Sequence, residues 1–365
     1  MTDQHVVHAA NLHGLDYRLE AESLGPPVCP ITDVHTHING TKAVEIYKRA
    51  ADLFGVQQVY SMTHLEHVEV TCTVFGDRMR YIAVPQWGAS DRLKAFTTDW
   101  LDRIEQYAAI GCRICKFWAA PRSRDISIEL GDPDLFALDG LARREAMKVA
   151  RQCGMMFMTH IADPNTWFAT KYADSSRYGT KLDQYKPLER MLDEYGDLPW
   201  IAAHMGGYPE DLDFLDMLLS RHDNLYLDTS ATKWMIREIS AQPRDGLVAF
   251  LTKWSGRIFF GSDIVTTDEH LHPAASAMGM GHLAGDEDEA FDLYASRYYA
   301  LRVMWETAFE GPSPIADPDL AMIEPERYDV NASPTLIGKQ LPSELLKSLY
   351  HDAAAHLLDA WHARG

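Results

Sequence analysis

The sequence predicts an α/β chain folded as a closed (β/α)8 TIM barrel, and three observations carry that prediction. Short apolar runs recur along the chain, each followed by a polar or glycine-containing turn and then a longer amphipathic segment. Strands alternating with helices imply parallel pairing through βαβ crossovers. Eight such units fit a closed barrel better than an open doubly wound sheet, and the glycine-rich phosphate fingerprint that an open sheet carries after its first strand is absent.

Taken in order, strands are predicted at 30–38, 56–63, 79–87, 112–118, 155–161, 199–205, 224–230 and 257–264. Amphipathic helices are predicted at 41–54, 92–110, 138–152, 187–195, 209–221 and 245–254, with the weakest helical pattern in the connection from His64 to Arg78. Residues 1–28 read as an N-terminal extension closed by the stiff Gly25-Pro26-Pro27 stretch, and 29–365 as a single barrel domain. Pro312, Pro314, Pro318, Pro325, Pro334 and Pro342 make 311–342 an irregular excursion. The tail from Ser343 to Ala363 reads as a helix, with Leu345, Leu346, Leu349, Ala353, His356, Leu357 and Ala360 on one face.

With 46% apolar residues in 365, the chain can bury a sizeable core. Its 34 Lys and Arg against 53 Asp and Glu give a net charge of -19, which repels polyanions, so neither nucleic acid nor an anionic membrane is an expected partner. A small molecule is. Five scattered cysteines, an odd number, argue against a disulfide framework and for a reducing cytoplasm. Cys112 and Cys115 have C-x-x-C spacing, but on a strand such positions face opposite sides, and burial is expected. The first thirty residues, with Asp3, His5, Asp16, Arg18 and Glu20 interspersed, hold no signal-peptide core, and no apolar run is long enough to span a membrane.

In a parallel barrel the reacting groups project from the C-terminal ends of the strands. The first run, Ile31-Thr32-Asp33-Val34-His35-Thr36-His37-Ile38, sets two histidines two positions apart, hence on one strand face, where two imidazoles can grip one divalent ion. Alone, a His-x-His pair is more often the polar face of a strand. The fourth run carries Lys116, the fifth ends on His160, the sixth on His204 and the eighth on Asp263. Packing does not explain so many metal-capable and proton-transfer groups at strand ends.

At these residues the chain resembles the amidohydrolase superfamily of metal-dependent barrels, and more closely its amidohydrolase-2 branch of decarboxylases, lactonases and hydratases. The resemblance rests on Asp33 to His37, Gly111 to Lys116, His160, Ala203-His204-Met205-Gly206-Gly207, Leu225 to Ser230, Arg257 to Asp263 and the closing His351 to Leu358, where Asp352 stands in place of the usual Asn. It spans about residues 30 to 358. It implies His35, His37, His160 and Asp263 as ligands of one divalent ion, zinc before manganese or iron, with His204 beside it as a proton-transfer group. In binuclear relatives a carboxylated lysine at the position of Lys116 bridges two ions and both later histidines, here His160 and His204, bind the second; a single ion is favoured. A homodimer is also implied.

Asp263 has the clearest mechanistic reason to be there, since a carboxylate touching both ion and water can take the water's proton and later deliver it. Hydrolysis of a C-N or C-O bond in a small, carboxylated molecule is the first expectation. Non-oxidative decarboxylation of an aromatic or unsaturated acid is the second, because the ligand set serves both; the intact Asp-x-His-x-His pattern tilts towards hydrolysis. A catalytically silent metal-binding barrel is a third reading, and Asp263 and His204 count against it.

The connection after His160 runs through Trp167, Lys171, Tyr172 and Arg177 to Lys181 and reads as a lid over the barrel mouth, or else a dimer contact. Arg122, Arg124, Lys171, Arg177 and Lys233 are candidates for holding a substrate carboxylate. Trp87, Trp167 and His64 are candidates for the pocket wall, and Trp87 and Trp234 suit packing equally well. His270 and His272 repeat the His-x-His spacing, although Glu269 and Pro273 beside them suggest a loop.

Overall fold

The alternation read from the sequence becomes a nine-stranded sheet in the computed structural model, which describes residues 8, 10–272 and 283–364. Its strands are β1 (Ile31–Ile38), β2 (Val56–Ser61), β3 (Met79–Ala83), β4 (Ile114–Trp118), β5 (Met156–His160), β6 (Trp200–Ala202), β7 (Leu225–Asp228), β8 (Ile258–Phe259) and β9 (Ile264–Thr266). With helices in the connections, this is an α/β (β/α)8 barrel. The chain divides into two compact units, one of residues 1–61, 65–80 and 229–354, the other of 62–64, 81–228 and 355–365.

In the first unit β1 pairs in parallel with β2 and with β9. Burial on both faces explains why Ile31, Val34 and Ile38 interrupt the polar alternation of β1. The helix Lys42–Leu53 buries Ala43, Val44, Ile46, Tyr47, Ala50 and Ala51, a helical spacing. Its N-terminus is capped from a distance: Asp268 accepts the N–H groups of Thr41 at 2.8 Å and Ala43 at 3.0 Å. Burial raises the Asp268 carboxyl, but the hydrogen bonds from Ala43, Thr41 and Lys42 outweigh it and hold it below the ordinary carboxylate range.

Several elements depart from the sequence expectation. The eighth run is not one strand, because Asp263 at φ 60° breaks it into β8 and β9. A 20-residue helix, Glu287–Glu306, has no counterpart among the predicted elements; it is buried nearly all round, so it lacks the one-sided periodicity that marks a surface helix. The proline-rich excursion contains an antiparallel hairpin, β10 (Glu310–Pro312) with β11 (Thr335–Ile337), and a short helix Asp319–Ile323. The predicted helix 92–110 breaks at Thr97 into Arg92–Phe96 and Thr98–Ala109.

The N-terminal extension is docked on the long helix. Asn11 donates to Asp292 at 2.8 Å and Arg302 donates to the carbonyl of Gly25 at 2.9 Å, while Tyr17–Leu24 forms a helix capped by Asp16. Residues 1–7 and 9 of the extension lie outside the described residues, as does Pro273. Among the described residues no helix is long and apolar enough to cross a membrane.

In the second unit β3 to β7 pair in parallel in sequence order. Phe117, Phe157 and Trp200 on β4, β5 and β6 meet edge to face, with the Phe157 and Trp200 centroids 4.9 Å apart. Cys112 and Cys115 are buried, as the strand reading expects, and desolvation pushes the Cys112 thiol up to about 12 and Cys115 well above its ordinary value, which disfavours the thiolate.

Candidate active site

At the C-terminal end of β1 two imidazoles converge on the carboxylate that interrupts the eighth run. The Nε2 atoms of His35 and His37 lie 3.4 and 3.2 Å from the same oxygen, Oδ1 of Asp263. Two ligand atoms about 2.0–2.1 Å from one tetrahedral ion stand about 3.3 Å apart, so this spacing fits a shared divalent ion. Nδ1 of His35 is hydrogen-bonded to Ser230 Oγ at 3.0 Å, which turns Nε2 towards Asp263. Gly261 gives this packing room, because a Cβ there would stand 3.0 Å from the Cβ of Ser230 and 3.1 Å from that of His35.

Asp33 explains how two of the three groups, His35 and Asp263, are held. Its Oδ1 accepts the backbone N–H of His35 and of Ser262, both at 3.1 Å, so one carboxylate ties β1 to the residue before Asp263. The Asp263 N–H donates in turn to the His35 carbonyl at 2.8 Å. The second oxygen of Asp33 accepts the Tyr298 hydroxyl at 2.8 Å, and Tyr298 shares a 2.5 Å hydrogen bond with Tyr47. Burial pushes the Asp33 carboxyl up to about 6 although hydrogen bonds from Ser262, Tyr298 and His35 pull the other way.

In the second unit β5 ends on His160 and β6 runs into a left-handed turn. His204 (φ 59°, ψ 45°) and Met205 (φ 52°, ψ 44°) adopt the left-handed conformation, followed by Gly206 and Gly207, also at positive φ. The left-handed region costs a non-glycine residue about 1–2 kcal/mol, so the turn is held by its surroundings. The His204 N–H donates to the buried Asp228 at 2.9 Å, and Gly207 passes so close to Ala162 that a Cβ would lie 2.1 Å from its carbonyl oxygen. His160 and His204 meet edge to face with centroids 4.5 Å apart. Lys116, on β4, is buried.

Among the described residues only five non-glycines have positive φ, and three of them are His204, Met205 and Asp263, with a fourth, Ala231, beside Ser230. Backbone strain concentrated on the groups able to do chemistry is the pattern of a functional site.

The cations expected on the rim have varied surroundings. Arg177 binds Asp125, with Nε at 2.9 Å, and Lys233 lies 3.3 Å from Asp319. Lys171 sits 3.6 Å above the Trp167 ring. Arg124 donates to the Arg177 carbonyl at 3.0 Å, and both line a cavity of about 420 Å³ that also holds Gln184, Lys186 and Arg190. Arg122 is exposed, and its backbone N–H meets the Tyr172 hydroxyl. Trp87 packs against Phe96, Trp118 and Phe136, while His64 is hydrogen-bonded to Gln86 at 3.1 Å. His270 is buried against the Tyr294 hydroxyl at 2.8 Å and His272 is exposed, so this second His-x-His pair does not converge.

Sequence reasoning missed the groups that brace the histidines. Tyr47 and Tyr298 carry no local signal, since each is brought to its place by the fold; Ser230 stood out only as the end of the Leu225 to Ser230 run, and Asp163, three residues after His160, only as part of a loop.

The chain matches the amidohydrolase family profile (Amidohydro_2) over residues 48–360. No curated protein matches. Among solved structures it is similar to dihydroorotase from Saccharomyces cerevisiae, at 12% identity and a TM-score of 0.46 over 92% of this chain and 85% of that one. It is also similar to 2,6-dihydroxybenzoate decarboxylase from Rhizobium, at 13% identity and a TM-score of 0.34 over 73% and 98%. A third is 5-carboxyvanillate decarboxylase from Novosphingobium aromaticivorans, at 11% identity and a TM-score of 0.38 over 92% and 96%. The profile match covers most of the sequence, and the chain belongs to the amidohydrolase family.

Proposed function

We propose that this amidohydrolase is a metal-dependent hydrolase that opens a C-N or C-O bond, in an amide, lactone or ester, of a small carboxylated molecule. The observation that carries the reading is the convergence of His35 and His37 on one oxygen of Asp263, at the spacing of ligands on a single ion. His160 is proposed as a further ligand and His204 as a proton-transfer group. A divalent ion, zinc before manganese or iron, would polarise the carbonyl and make water nucleophilic near neutral pH.

The chain's own work is then proton movement and orientation. Asp263 takes the water's proton on its carboxylate and delivers it to the leaving nitrogen or oxygen, a task open to a carboxylate that faces both ligands and is partly exposed. Arg122 or Arg124 is proposed to hold the substrate carboxylate, because Arg177 and Lys233 already face Asp125 and Asp319. The complete Asp33-x-His35-x-His37 pattern is what favours hydrolysis over decarboxylation. Lys116 is proposed to remain an ordinary lysine, so Lys116→Ala retains the ion.

The test is a screen of lactones, cyclic amides and aromatic carboxylic acids in water enriched in oxygen-18. Incorporation of one heavy oxygen per turnover is expected. Release of carbon dioxide without incorporation would replace hydrolysis by decarboxylation.

A further inference from the structure

The loop that follows β5 returns to the histidine it starts from. Asp163 lies three residues beyond His160, and its Oδ1 is 2.8 Å from Nε2 of the imidazole. Its other oxygen accepts the Tyr172 hydroxyl at 2.6 Å, so the two ends of a ten-residue stretch close on one carboxylate. Asp163 is 2% exposed and Tyr172 3%. A buried carboxylate oxygen in this contact accepts, so Nε2 of His160 donates, and the neutral ring then carries its lone pair on Nδ1.

The stretch between the two ends is built to hold Tyr172 where it is. The backbone N–H of Trp167 donates to the Pro164 carbonyl at 2.9 Å and the backbone N–H of Tyr172 to the Trp167 carbonyl at 2.8 Å, which folds the chain back on itself. The Tyr172 ring is packed by Trp167, Phe168 and Tyr178, with centroids 5.7, 5.3 and 5.0 Å away. Tyr178 is anchored in turn to Asp125. This aromatic staple fixes the hydroxyl, the hydroxyl fixes the Asp163 carboxylate, and the carboxylate fixes the plane of the imidazole.

We propose that Asp163 and Tyr172 are positioning residues that clamp His160 with its proton on Nε2, so that Nδ1 is the atom His160 offers to a metal ion. The proposal rests on the reading of His160 as a ligand given above. It makes the loop more than a cover: displacing residues 164–171 withdraws Tyr172 and loosens the imidazole, so ligand geometry follows loop position.

Two readouts test it, one without metal. In proton NMR of the metal-free protein, His160 should give a downfield, slowly exchanging Nε2–H signal, identified by its loss in His160→Gln. Asp163→Asn should abolish that signal or move it upfield, and Tyr172→Phe, which keeps the ring packing, should retain it with faster exchange. By chelator competition with zinc, Asp163→Asn should weaken binding about 10–100-fold, with a smaller loss in the same direction for Tyr172→Phe. A residue that merely supports the fold would lower the melting temperature and leave zinc affinity unchanged. An unprotonated Nε2 in the wild type, or unchanged zinc affinity in folded Asp163→Asn, would overturn the clamp. Absence of zinc binding by the wild type would instead overturn the metal reading, and the N–H signal would then decide the clamp alone.

Discussion

His35 and Asp263 are braced by a carboxylate that grips the backbone around them, whereas the carboxylate beside His160 meets its imidazole. In the first cluster Asp33 grips the N–H groups of His35 and Ser262, and Asp263 donates its own N–H to the His35 carbonyl, so the segments bearing His35 and Asp263 are tied to each other. Behind Asp33 stand two buried tyrosines on helices of the same unit. In the second cluster the imidazole of His160 meets Asp163 in a loop, while His204, its N–H held by Asp228, stands on a strained left-handed turn. The contrast teaches that one carboxylate can make a metal-capable cluster rigid through its backbone while another ties a single imidazole to a loop. Substitutions should separate the two.

The largest effect is expected at the chemistry of the first cluster. Asp263→Asn should lower turnover of a substrate found by screening about 10²–10⁴-fold, the range for losing a positioned acid–base group, measured as initial rates at saturating metal. Next is the left-handed turn of the second cluster. Gly207→Ala forces a Cβ to within 2.1 Å of the Ala162 carbonyl oxygen at a positive φ, and should cost about 2–4 kcal/mol in urea unfolding.

Removing the brace behind Asp33 should act on stability first. Tyr298→Phe deletes the hydroxyl that Asp33 accepts at 2.8 Å, leaving that buried oxygen without it, and should cost about 1–3 kcal/mol in the same assay. The smallest effect belongs to the remote cap. Asp268→Ala should cost about 0.5–2 kcal/mol at neutral pH. Because the folded-state carboxyl lies below its unfolded value, that contribution is present above the unfolded pKa and fades as pH falls through the folded one. The difference from wild type should therefore close in acid; a gap that stays constant to the acid limit would break this account of the cap.

How much of this was legible in the sequence depended on whether the signal was local. The strands were readable because parallel strands buried on both faces are short apolar runs, and His35, His37 and Asp263 because strand ends in a barrel share one face. The break at Asp263 was not readable, since nothing in Phe260-Gly261-Ser262-Asp263 announces a left-handed aspartate. The helix Glu287–Glu306 escaped for a related reason: burial all round erases periodicity. Tyr298 sits on that helix, 265 residues from the aspartate it serves, and no pattern in one sequence links the two. The rim cations were legible as charges but not as pairs, because Arg177 meets Asp125 and Lys233 meets Asp319 only through the fold.

The proposed role of His35, His37 and Asp263 is to hold one divalent ion. Its most direct test is the metal content per chain of protein stripped with chelator, reconstituted with zinc and desalted, compared across the wild type, His37→Ala and Asp263→Ala. The account predicts one ion in the wild type and little or none in either variant. A full ion retained by both variants, or none bound by the wild type, would contradict it.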